Sequence, residues 1–470
     1  MTLNRSTVFP ALFALVAAIC PLQGNAAGDR SLAHTLLKDL VEVNTAPSGG
    51  DDIRPAAHIA AKYLLDAGFD KEDVRVIGPT PKRSMVVARY RSIKAMRPPI
   101  LLLAHLDVVE ALPQDWSVPP FKLTERDGYF YGRGSGDDKA GAAILVANFV
   151  RLWQEGFEPD RDLIIVLSAD EETDGASTQW LLREHRDLVD AAYALNTDAG
   201  GVLSDAEGAK KYAFMVQTGE KVYASYSFEA HDRGGHSSLP RPDNPIYRVA
   251  RTLVALQHYR FPVDLNDTTR EFFKESIKLV PPESQPLLQA LSAGKIDAGV
   301  EAGLEQAPYF NSIARTTCVA TQLEGGHAEN ALPQSARAVV NCRILPQTDP
   351  AEVEKTLRGL AAPNDLEVKV VYKPVPSSIS PMDKALFEAF TGVARELWPG
   401  IPVIPEMGAG ASDGLYVRNA GIPTYGISAV AENPDDVRAH GRDERIRISA
   451  FDDALEYWYR LLKRLAGPPP

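Results

Sequence analysis

Short runs of uniformly apolar residues, alternating with helical segments, restrict the fold of this chain more than any other feature. Four runs bounded by turn residues predict strands: Ser84–Tyr90, Pro99–Leu103, Leu163–Ser168 and Ala191–Leu195. Helical periodicity extends from Ser31 to Gly68 and from Lys139 to Gln154. Strands that are apolar on both sides are buried on both faces, which is typical of a mostly parallel sheet flanked by helices. The sequence therefore predicts an α/β domain with its reactive groups at the carboxyl ends of the strands.

A different order of elements begins after residue 216. It reads strand, helix, strand, strand, helix, strand, over Val222–Ala230, Pro245–His258, Ser312–Leu323, Ala336–Leu345, Pro350–Leu360 and Glu367–Tyr372. This order is typical of the split βαβ, ferredoxin-like sandwich. We therefore predict an inserted α+β domain at residues 217–374, between two parts of the α/β domain at residues 28–216 and 375–470.

The first 27 residues resemble a secretory signal peptide. Arg5 precedes an apolar run from Val8 to Ile19, and small residues lead up to Ala27. This layout predicts cleavage near residue 27 and an exported protein, periplasmic or secreted. Later stretches never reach 18 uninterrupted apolar residues, so we expect no membrane span.

Composition limits which partners and which kinds of metal site this chain can have. With 50 Lys and Arg against 62 Asp and Glu, the net charge is −12, so we expect no nucleic-acid partner, which would need a basic surface. Three cysteines cannot form a cysteine-only metal cluster, so a metal must be held by His and carboxylates. Once Cys20 leaves with the signal peptide, Cys318 and Cys342 either pair or stay as two buried thiols.

Chemistry-bearing residues follow the ends of the predicted strands. One strand leads into His105-Leu-Asp107, and residues i and i+2 project to the same side, so Asp107 can orient the imidazole of His105. Acids follow two other strands, at Asp170, Glu171, Glu172 and Asp198. So much negative charge beside apolar strands is costly unless a cation compensates it. A structural histidine and a solvated acidic loop are the alternative interpretations.

Two further positions lie outside the strand ends. Asp137 ends the sequence Gly-Arg-Gly-Ser-Gly-Asp at the start of a predicted helix, where a carboxylate is favoured, so an N-cap is the alternative. His440 lies in a polar loop far along the chain, where no core surrounds it. Six other histidines lack an acid-rich strand end and are interpreted as non-ligands: His34, His58, His185, His231, His258 and His327.

Together these motifs resemble, over essentially the whole mature chain, the exopeptidases and deacylases of metallopeptidase clan MH. That family includes aminoacylase, acetylornithine deacetylase, succinyl-diaminopimelate desuccinylase and the glutamate carboxypeptidases. The resemblance implies a zinc-exopeptidase-like catalytic domain with two zinc ions, for which cobalt or manganese are alternatives. Carried over position by position, the ligands are His105 and Asp198 for one ion, Glu172 and His440 for the other, and Asp137 as the bridge.

The resemblance also assigns the residues that act on a substrate. Glu171 corresponds to the general base, with Asp107 as the catalytic partner of His105. His236 corresponds to a histidine that stabilises the oxyanion, often from a dimer partner, which would make the inserted domain a lid and dimerisation domain. Substrate-binding positions are expected at Asn330, Arg343, Gly408 and Gly410. A planar guanidinium at Arg343 suits a free carboxylate.

The implied function is metal-dependent cleavage of an amide or peptide bond next to a free carboxylate. The substrate is then a small peptide or an N-acyl amino acid, for a carboxypeptidase, a dipeptidase or an N-acyl amino acid deacylase (an aminoacylase). An insert at residues 261–310 resembles that of the larger carboxypeptidase S-like branch, and it could either shape the pocket or cover the dimer surface.

Two other functions fit parts of the sequence. Ser412 lies in a Gly-x-Ser-x-Gly string, the pattern of a serine hydrolase, although such a serine needs a strand before it and a helix after it. A non-catalytic peptide-binding relative would be expected to lose a ligand or the base, and this chain keeps all of them.

Overall fold

The computed structural model describes residues 26–468 of the chain. The predicted signal peptide, residues 1–27, lies outside the described residues except for its last two. Within residues 26–468, no helix combines the length and the apolar character that crossing a membrane requires.

Helices cover both faces of a central sheet and one face of a smaller sheet. In chain order they are α1 (Ala26–Val41), α2 (Arg54–Asp66), α3 (Lys139–Gln154), α4 (Ala176–Glu184), α5 (Arg186–Val189), α6 (Pro245–His258), α7 (Asp267–Ser276), α8 (Gln285–Ser292), α9 (Ala298–Glu305), α10 (Pro308–Ala314), α11 (Pro350–Ala361), α12 (Lys384–Leu397), α13 (Gly414–Asn419) and α14 (Ile448–Ala466).

The strands form four sheets in the described part of the chain. In chain order they are β1 (Val74–Ile77), β2 (Met85–Tyr90), β3 (Ile100–His105), β4 (Thr124–Arg126), β5 (Tyr129–Tyr131), β6 (Leu163–Ser168), β7 (Tyr193–Asn196), β8 (Gly201–Ser204), β9 (Lys211–Glu220), β10 (Val222–His231), β11 (Gly235–His236), β12 (Thr317–Gly325), β13 (Ala331–Leu332), β14 (Ser335–Ile344), β15 (Glu367–Tyr372), β16 (Val403–Gly408), β17 (Thr424–Gly426), β18 (Ala431–Glu432) and β19 (Arg445–Arg447).

The largest sheet has ten strands in the order β1-β2-β6-β3-β7-β17-β9-β8-β18, with β16 also paired to β9. Its centre is parallel, because β3 pairs in parallel with β6 and β7, and β17 with β7. Leu102 of β3 packs with α1, α3 and α14 on one face, whereas Leu103 packs with residues of α4 and α13 on the other. Burial on both faces explains the uniformly apolar strands, and the predicted mixed sheet flanked by helices is confirmed.

The second sheet has four strands in the order β12-β14-β10-β15, and all of its pairs are antiparallel. Leu256 of α6 and Leu357 of α11 pack against Phe228 of β10 on one face. The chain passes from β9 of the large sheet to β10 of this sheet through a single residue, Lys221. This is the predicted order of strands and helices.

One predicted strand begins too early. Residues 308–314 form helix α10, and β12 begins only at Thr317, so the prediction of a strand from Ser312 is wrong for its first residues. Pro308 occupies the first turn of α10, where its missing N–H costs nothing. Ile313 of that helix is buried against Phe272 and Phe273 of α7, a contact that the sequence pattern does not reveal.

The insert at residues 261–310 forms the helices α7 to α10. Its apolar side chains pack on the large sheet, against Met215 of β9 and Ile404 of β16. Among the described residues, β12 pairs with β14 alone, and most of β12 is exposed.

The two cysteines among the described residues are joined. Cys318 of β12 lies directly opposite Cys342 of β14, and the two form a disulfide. Of the two alternatives that the sequence left open, the structure has the paired one.

Candidate metal centre

The candidate centre lies at the carboxyl ends of three neighbouring parallel strands. His105 is the last residue of β3, and its register partner on β6 is Ser168. Glu171 and Glu172 follow β6 in the chain, and Asp198 follows β7. Because parallel strands end at the same edge of a sheet, these residues meet although they are far apart in sequence.

The five residues that the family resemblance assigns as ligands converge. Asp137 lies between two imidazoles, with its Oδ1 2.9 Å from Nε2 of His105 and its Oδ2 3.2 Å from Nε2 of His440. Nε2 of His105 is also 3.6 Å from Oδ1 of Asp198, and Nε2 of His440 is 3.0 Å from Oε2 of Glu172. Two groups of three potential ligand atoms result, which share Asp137 and in each of which all atoms lie within 4.8 Å.

The loop before α3 carries Asp137 and does not use it as a helix cap. Residue Asp138 is the N-cap of α3, and no side chain caps this helix end. The carboxylate of Asp138 instead accepts a hydrogen bond from Oγ1 of Thr197 at 2.7 Å. The peptide bond between Asp137 and Asp138 is cis. The capping interpretation of Asp137 is therefore not supported.

Gly134 allows this loop to pack closely. Its φ is +84°, and a Cβ there would lie 2.9 Å from side-chain atoms of Val108 and Lys139. Since a side chain would be both strained and crowded, glycine is required at this turn.

Asp107 supports the centre in a way that differs from the sequence expectation. Nδ1 of His105 is 3.0 Å from the backbone carbonyl oxygen of Asp107. The carboxylate of Asp107 is farther from the same nitrogen, at 3.6 Å. The carboxylate accepts hydrogen bonds from the amides of Glu171 at 3.2 Å and Glu172 at 2.9 Å. Asp107 therefore fixes both the ring of His105 and the loop with the two glutamates.

The centre carries more negative than positive charge, and the pKa values reflect this. Burial raises the pKa of Asp198 to about 7, against the opposing effect of His105. Hydrogen bonds with Asp137 and Glu172 raise the pKa of His440 to about 10. The raised pKa of Asp198 and the raised pKa of His440 both indicate that added positive charge stabilises the site.

Glu171 also tends to keep its proton. Burial raises its pKa well above the ordinary value, and the neighbouring carboxylate of Asp198 raises it further. One of its carboxylate oxygens lies within 4.8 Å of ligand atoms of His105 and Glu172. A cation in the centre would lower this pKa and leave a carboxylate able to accept a proton.

The other predicted site residues lie elsewhere. His236 and Ala331 are register partners on the ribbon β11–β13, and the backbone N–H of Ser237 donates to the carbonyl of Asn330. His236 and Asn330 are both exposed, and His236 belongs to none of the ligand groups found among residues 26–468. The structure brings these two residues together but does not join them to the centre.

Arg343 contacts the glycine-rich loop that includes Gly408 and Gly410. Its Nη1 donates to the carbonyl of Ala409 at 3.0 Å, and its guanidinium lies 4.6 Å from the centre of the Tyr223 ring. A Cβ on Gly408 would collide with Gln217, whereas Gly410 has open space around it.

Two alternative sites carry less weight. Ser412 is buried and donates to Oε2 of Glu220 at 2.9 Å. Although β16 and α13 flank its loop, the described hydrogen bonds include no histidine on this hydroxyl.

His231 forms a geometric group with Glu229 and Glu367, but the carboxylate of Glu229 is already paired with Arg337 and Lys369.

Sequence reasoning missed a buried ion pair behind the centre. Arg133 and Glu444, each 2% exposed, are joined at 2.6 Å between Nη1 and Oε2. In the sequence, Arg133 stands among the glycines before Asp137, and Glu444 follows His440 by four positions. The positions of these two charged residues were the only sequence signal of the pair.

Comparison with known proteins places this chain in one family. Residues 101–464 match the model of peptidase family M20/M25/M40. An N-fatty-acyl-amino acid synthase/hydrolase, PM20D1 of Xenopus tropicalis, is 29% identical over 79% of this chain and 74% of its own length. Human aminoacylase-1 is 25% identical over 79% of this chain and 80% of its own.

The fold agrees with the sequence match. The crystal structure of an M20 family metallo-carboxypeptidase, Sso-CP2 of Sulfolobus solfataricus, superimposes with a TM-score of 0.68 at 20% identity and covers 92% of this chain and 98% of its own. The chain therefore belongs to peptidase family M20/M25/M40 and is a hydrolytic metalloenzyme.

Proposed function

We propose that this protein cleaves the amide bond of an N-acyl amino acid or a small peptide next to a free carboxylate, with two zinc ions as cofactors. The observation that carries the proposal is the convergence of three carboxylates and two imidazoles on two ligand groups that share Asp137. The first ion would be held by His105 and Asp198, the second by Glu172 and His440.

The donor set fits the proposed metals. Imidazole and carboxylate groups suit zinc, and also cobalt and manganese. Three carboxylates place three negative charges against the four positive charges of two divalent ions, which removes the cost of burying acids together. When bound, such ions polarise an amide carbonyl and lower the pKa of water to about 7.

Glu171 is the proposed general base. Its carboxylate accepts a proton from the attacking water and donates it to the nitrogen of the departing amine. The carboxylate of Asp107 holds the backbone of Glu171, so the base is fixed beside the proposed ligands.

Arg343 is proposed to bind the free carboxylate of the substrate. No acid is paired with its guanidinium among the described salt bridges, and its one polar contact is with the carbonyl of Ala409. The loop with Gly408 and Gly410 then lines the substrate beside it. Two relatives are named for N-acyl amino acids, an N-fatty-acyl-amino acid synthase/hydrolase and an aminoacylase, which favours that substrate class over longer peptides.

We further propose that residues 217–374 form a lid through which two copies dimerise. The edge strand β12 has Val319 60% and Leu323 65% exposed, and Val254 on neighbouring α6 is 52% exposed. An uncovered apolar edge strand is a ready template for pairing. In such a dimer, the exposed His236 with Asn330 would reach the partner's centre, where an imidazole stabilises the oxyanion.

The remaining parts of the proposal concern processing and domains. Residues 1–27 would be removed as a signal peptide, so the enzyme would act in the periplasm or outside the cell. The catalytic domain would comprise residues 28–216 and 375–470.

The proposal is tested by metal removal and a substrate panel. N-acyl amino acids, dipeptides and longer peptides are assayed after chelation and after addition of zinc, cobalt or manganese. We expect activity to be lost with the metal, to return with about two ions per chain, and to be greatest for N-acyl amino acids. Full activity in chelator with loss on treatment with a serine-directed reagent would point to Ser412 instead. Tight binding without hydrolysis would indicate a non-catalytic relative.

A further inference from the structure

The Arg133–Glu444 ion pair lies behind the candidate centre and belongs to neither of the two ligand groups that share Asp137. Removing two charges from water costs several kcal/mol for each ion, and the pair alone repays this only when further hydrogen bonds satisfy both groups. Here those further bonds go to the loops that carry or follow the proposed ligands, while Nε of Arg133 has no hydrogen-bond partner among the described residues.

Glu444 binds the backbone that leads into Asp137. Its Oε1 accepts from the amides of Gly136 at 2.8 Å and Asp137 at 3.0 Å, and its Oε2 accepts from the amide of Gly134 at 3.2 Å. Three backbone amides of one loop therefore point at a single carboxylate. The position of Asp137, which both proposed metal sites share, depends on this anchor.

Arg133 connects that loop to two others. Its Nη2 donates to the carbonyl of Gly441 at 3.0 Å, directly beside His440. The same atom lies 3.3 Å from the carbonyl of Glu110, in the segment that follows His105. One buried pair thus contacts three loops that carry or follow proposed ligands. Glu110 lies 23 residues from Arg133 in the sequence, whereas Gly441 lies 308 residues away.

The loop that carries His440 needs such a support. His440 has a φ of 60° and Asp443 a φ of 53°, in the left-handed region that non-glycine residues rarely adopt. Each such residue costs on the order of 1–3 kcal/mol and persists only where its surroundings fix it. The bond from Arg133 to the carbonyl of Gly441 lies between these two strained positions.

We propose that Arg133 and Glu444 are positioning residues that hold the loops of Asp137 and His440 at the spacing required for both ions to share Asp137. This inference rests on the proposed two-metal function. Loss of a group that orients metal ligands typically weakens metal binding by about 10- to 100-fold.

The test compares the metal affinity of the full-length enzyme with that of two variants. Glu444→Gln keeps the shape of the side chain but turns an NH2 group toward backbone amides. Asp162→Asn is the matched control, because Asp162 pairs with Arg89 at 2.8 Å at the opposite end of β6. Zinc affinity is measured by chelator competition, and the visible spectrum of the cobalt enzyme reports the geometry of the ligands.

We expect Glu444→Gln to weaken zinc binding by about 10- to 100-fold and to alter the cobalt spectrum, while Asp162→Asn changes neither. Wild-type zinc affinity with an unaltered spectrum in Glu444→Gln would overturn the inference, whatever the loss of thermal stability. If Glu444→Gln does not fold, the zinc affinity and the cobalt spectrum of Arg133→Lys are measured in its place. Lysine keeps the positive charge of Arg133 but cannot bridge Glu444 and Gly441. A wild-type enzyme that binds no divalent ion would instead refute the proposed function itself.

Discussion

The histidine at the edge of the large sheet and the histidine on the ribbon β11–β13 have opposite surroundings, because the first is buried and the second is exposed. His105 is 1% exposed at the end of β3, and three carboxylates lie within 3.6 Å of its ring nitrogens. His236 is exposed, and the described hydrogen bonds of its ring are with the backbone N–H and the hydroxyl of Ser238, the latter at 2.8 Å between Nδ1 and Oγ. The first histidine has its partners within one chain, whereas the second has none of the groups it would serve.

This difference indicates two kinds of catalytic contribution. Groups that hold ions and move protons must be fixed within about half an ångström, so rigid strand ends suit them. A group that acts only on bound substrate can be brought up afterwards, by closure of the inserted domain or by a partner subunit. The comparison predicts that variants of the edge and of the ribbon will fail in different ways.

The largest expected effect is at Glu171. Glu171→Gln should reduce kcat by about 10²- to 10⁴-fold, because it removes the proton acceptor while keeping the size of the side chain. Its zinc content should stay at the wild-type level. Glu172→Gln, at the neighbouring residue, is the matched control and should lose zinc as well as rate. Near-normal kcat in Glu171→Gln, or equal zinc loss in both variants, would contradict the assigned roles.

The next effect is at His236. His236→Ala should reduce kcat by about 10²- to 10³-fold, as expected for loss of an oxyanion donor. His231→Ala, which removes another exposed histidine from the same region, should have wild-type kcat.

Mixing variants shows which subunit His236 serves. If it acts on the partner's centre, equal mixtures of His236→Ala and Glu171→Gln should recover about a quarter of wild-type activity, because half of random dimers are mixed and each holds one intact site. No recovery, together with a monomeric mass, would place His236 in its own chain's site and contradict the proposed dimer.

A smaller effect is expected at Arg343, on β14 of the inserted sheet. Arg343→Met should lower kcat/KM by about 10- to 100-fold, the equivalent of one charge-assisted hydrogen bond of about 1.5–3 kcal/mol. The loss should appear for substrates with a free carboxylate and disappear for their amides. Arg343→Lys should be intermediate, because it keeps the charge without the planar fork. An equal loss for acids and amides would contradict carboxylate binding.

The candidate centre at the edge of the large sheet left signals in the sequence because those signals are local. Each proposed ligand stands at or after the end of an apolar strand or in a loop of glycines and charges. Order and context therefore indicated a cation site, and the family resemblance assigned His105, Asp137, Glu172 and Asp198 as its ligands. The strands themselves were predictable for the same reason, since burial on both faces leaves an apolar run.

Features that depend on pairing across the fold were not predictable. The pattern of residues 308–314 suits a strand as well as a helix, and only burial of Ile313 against α7 decides for the helix. The carboxylate of Asp107 binds the amides of Glu171 and Glu172, a choice set by how β3 and β6 lie beside each other. In the same way, no periodicity connects Arg133 with Glu444.

The smallest expected effect is on stability, at Lys221, the residue that joins the large sheet to the inserted one. It is 2% exposed, its Nζ donates to the carbonyl of Arg315 at 2.7 Å, and burial, with a contribution from Arg343, lowers its pKa to about 7. Because the unfolded lysine keeps its proton up to about pH 10, the unfolded state binds more protons than the folded state between pH 7 and pH 10. The free energy of unfolding should therefore rise with pH in that window, by at most about 1.4 kcal/mol per unit.

Lys221→Met should remove this slope. Urea unfolding at pH 7, 8 and 9 should show wild type gaining about 1–3 kcal/mol on the variant from pH 7 to pH 9, with other titrations cancelling in the difference. Lys369→Met, which removes a lysine with a half-exposed side chain on β15, should keep the wild-type slope. Parallel slopes for wild type and Lys221→Met would mean that Lys221 stays charged when folded, so that the junction is open to water.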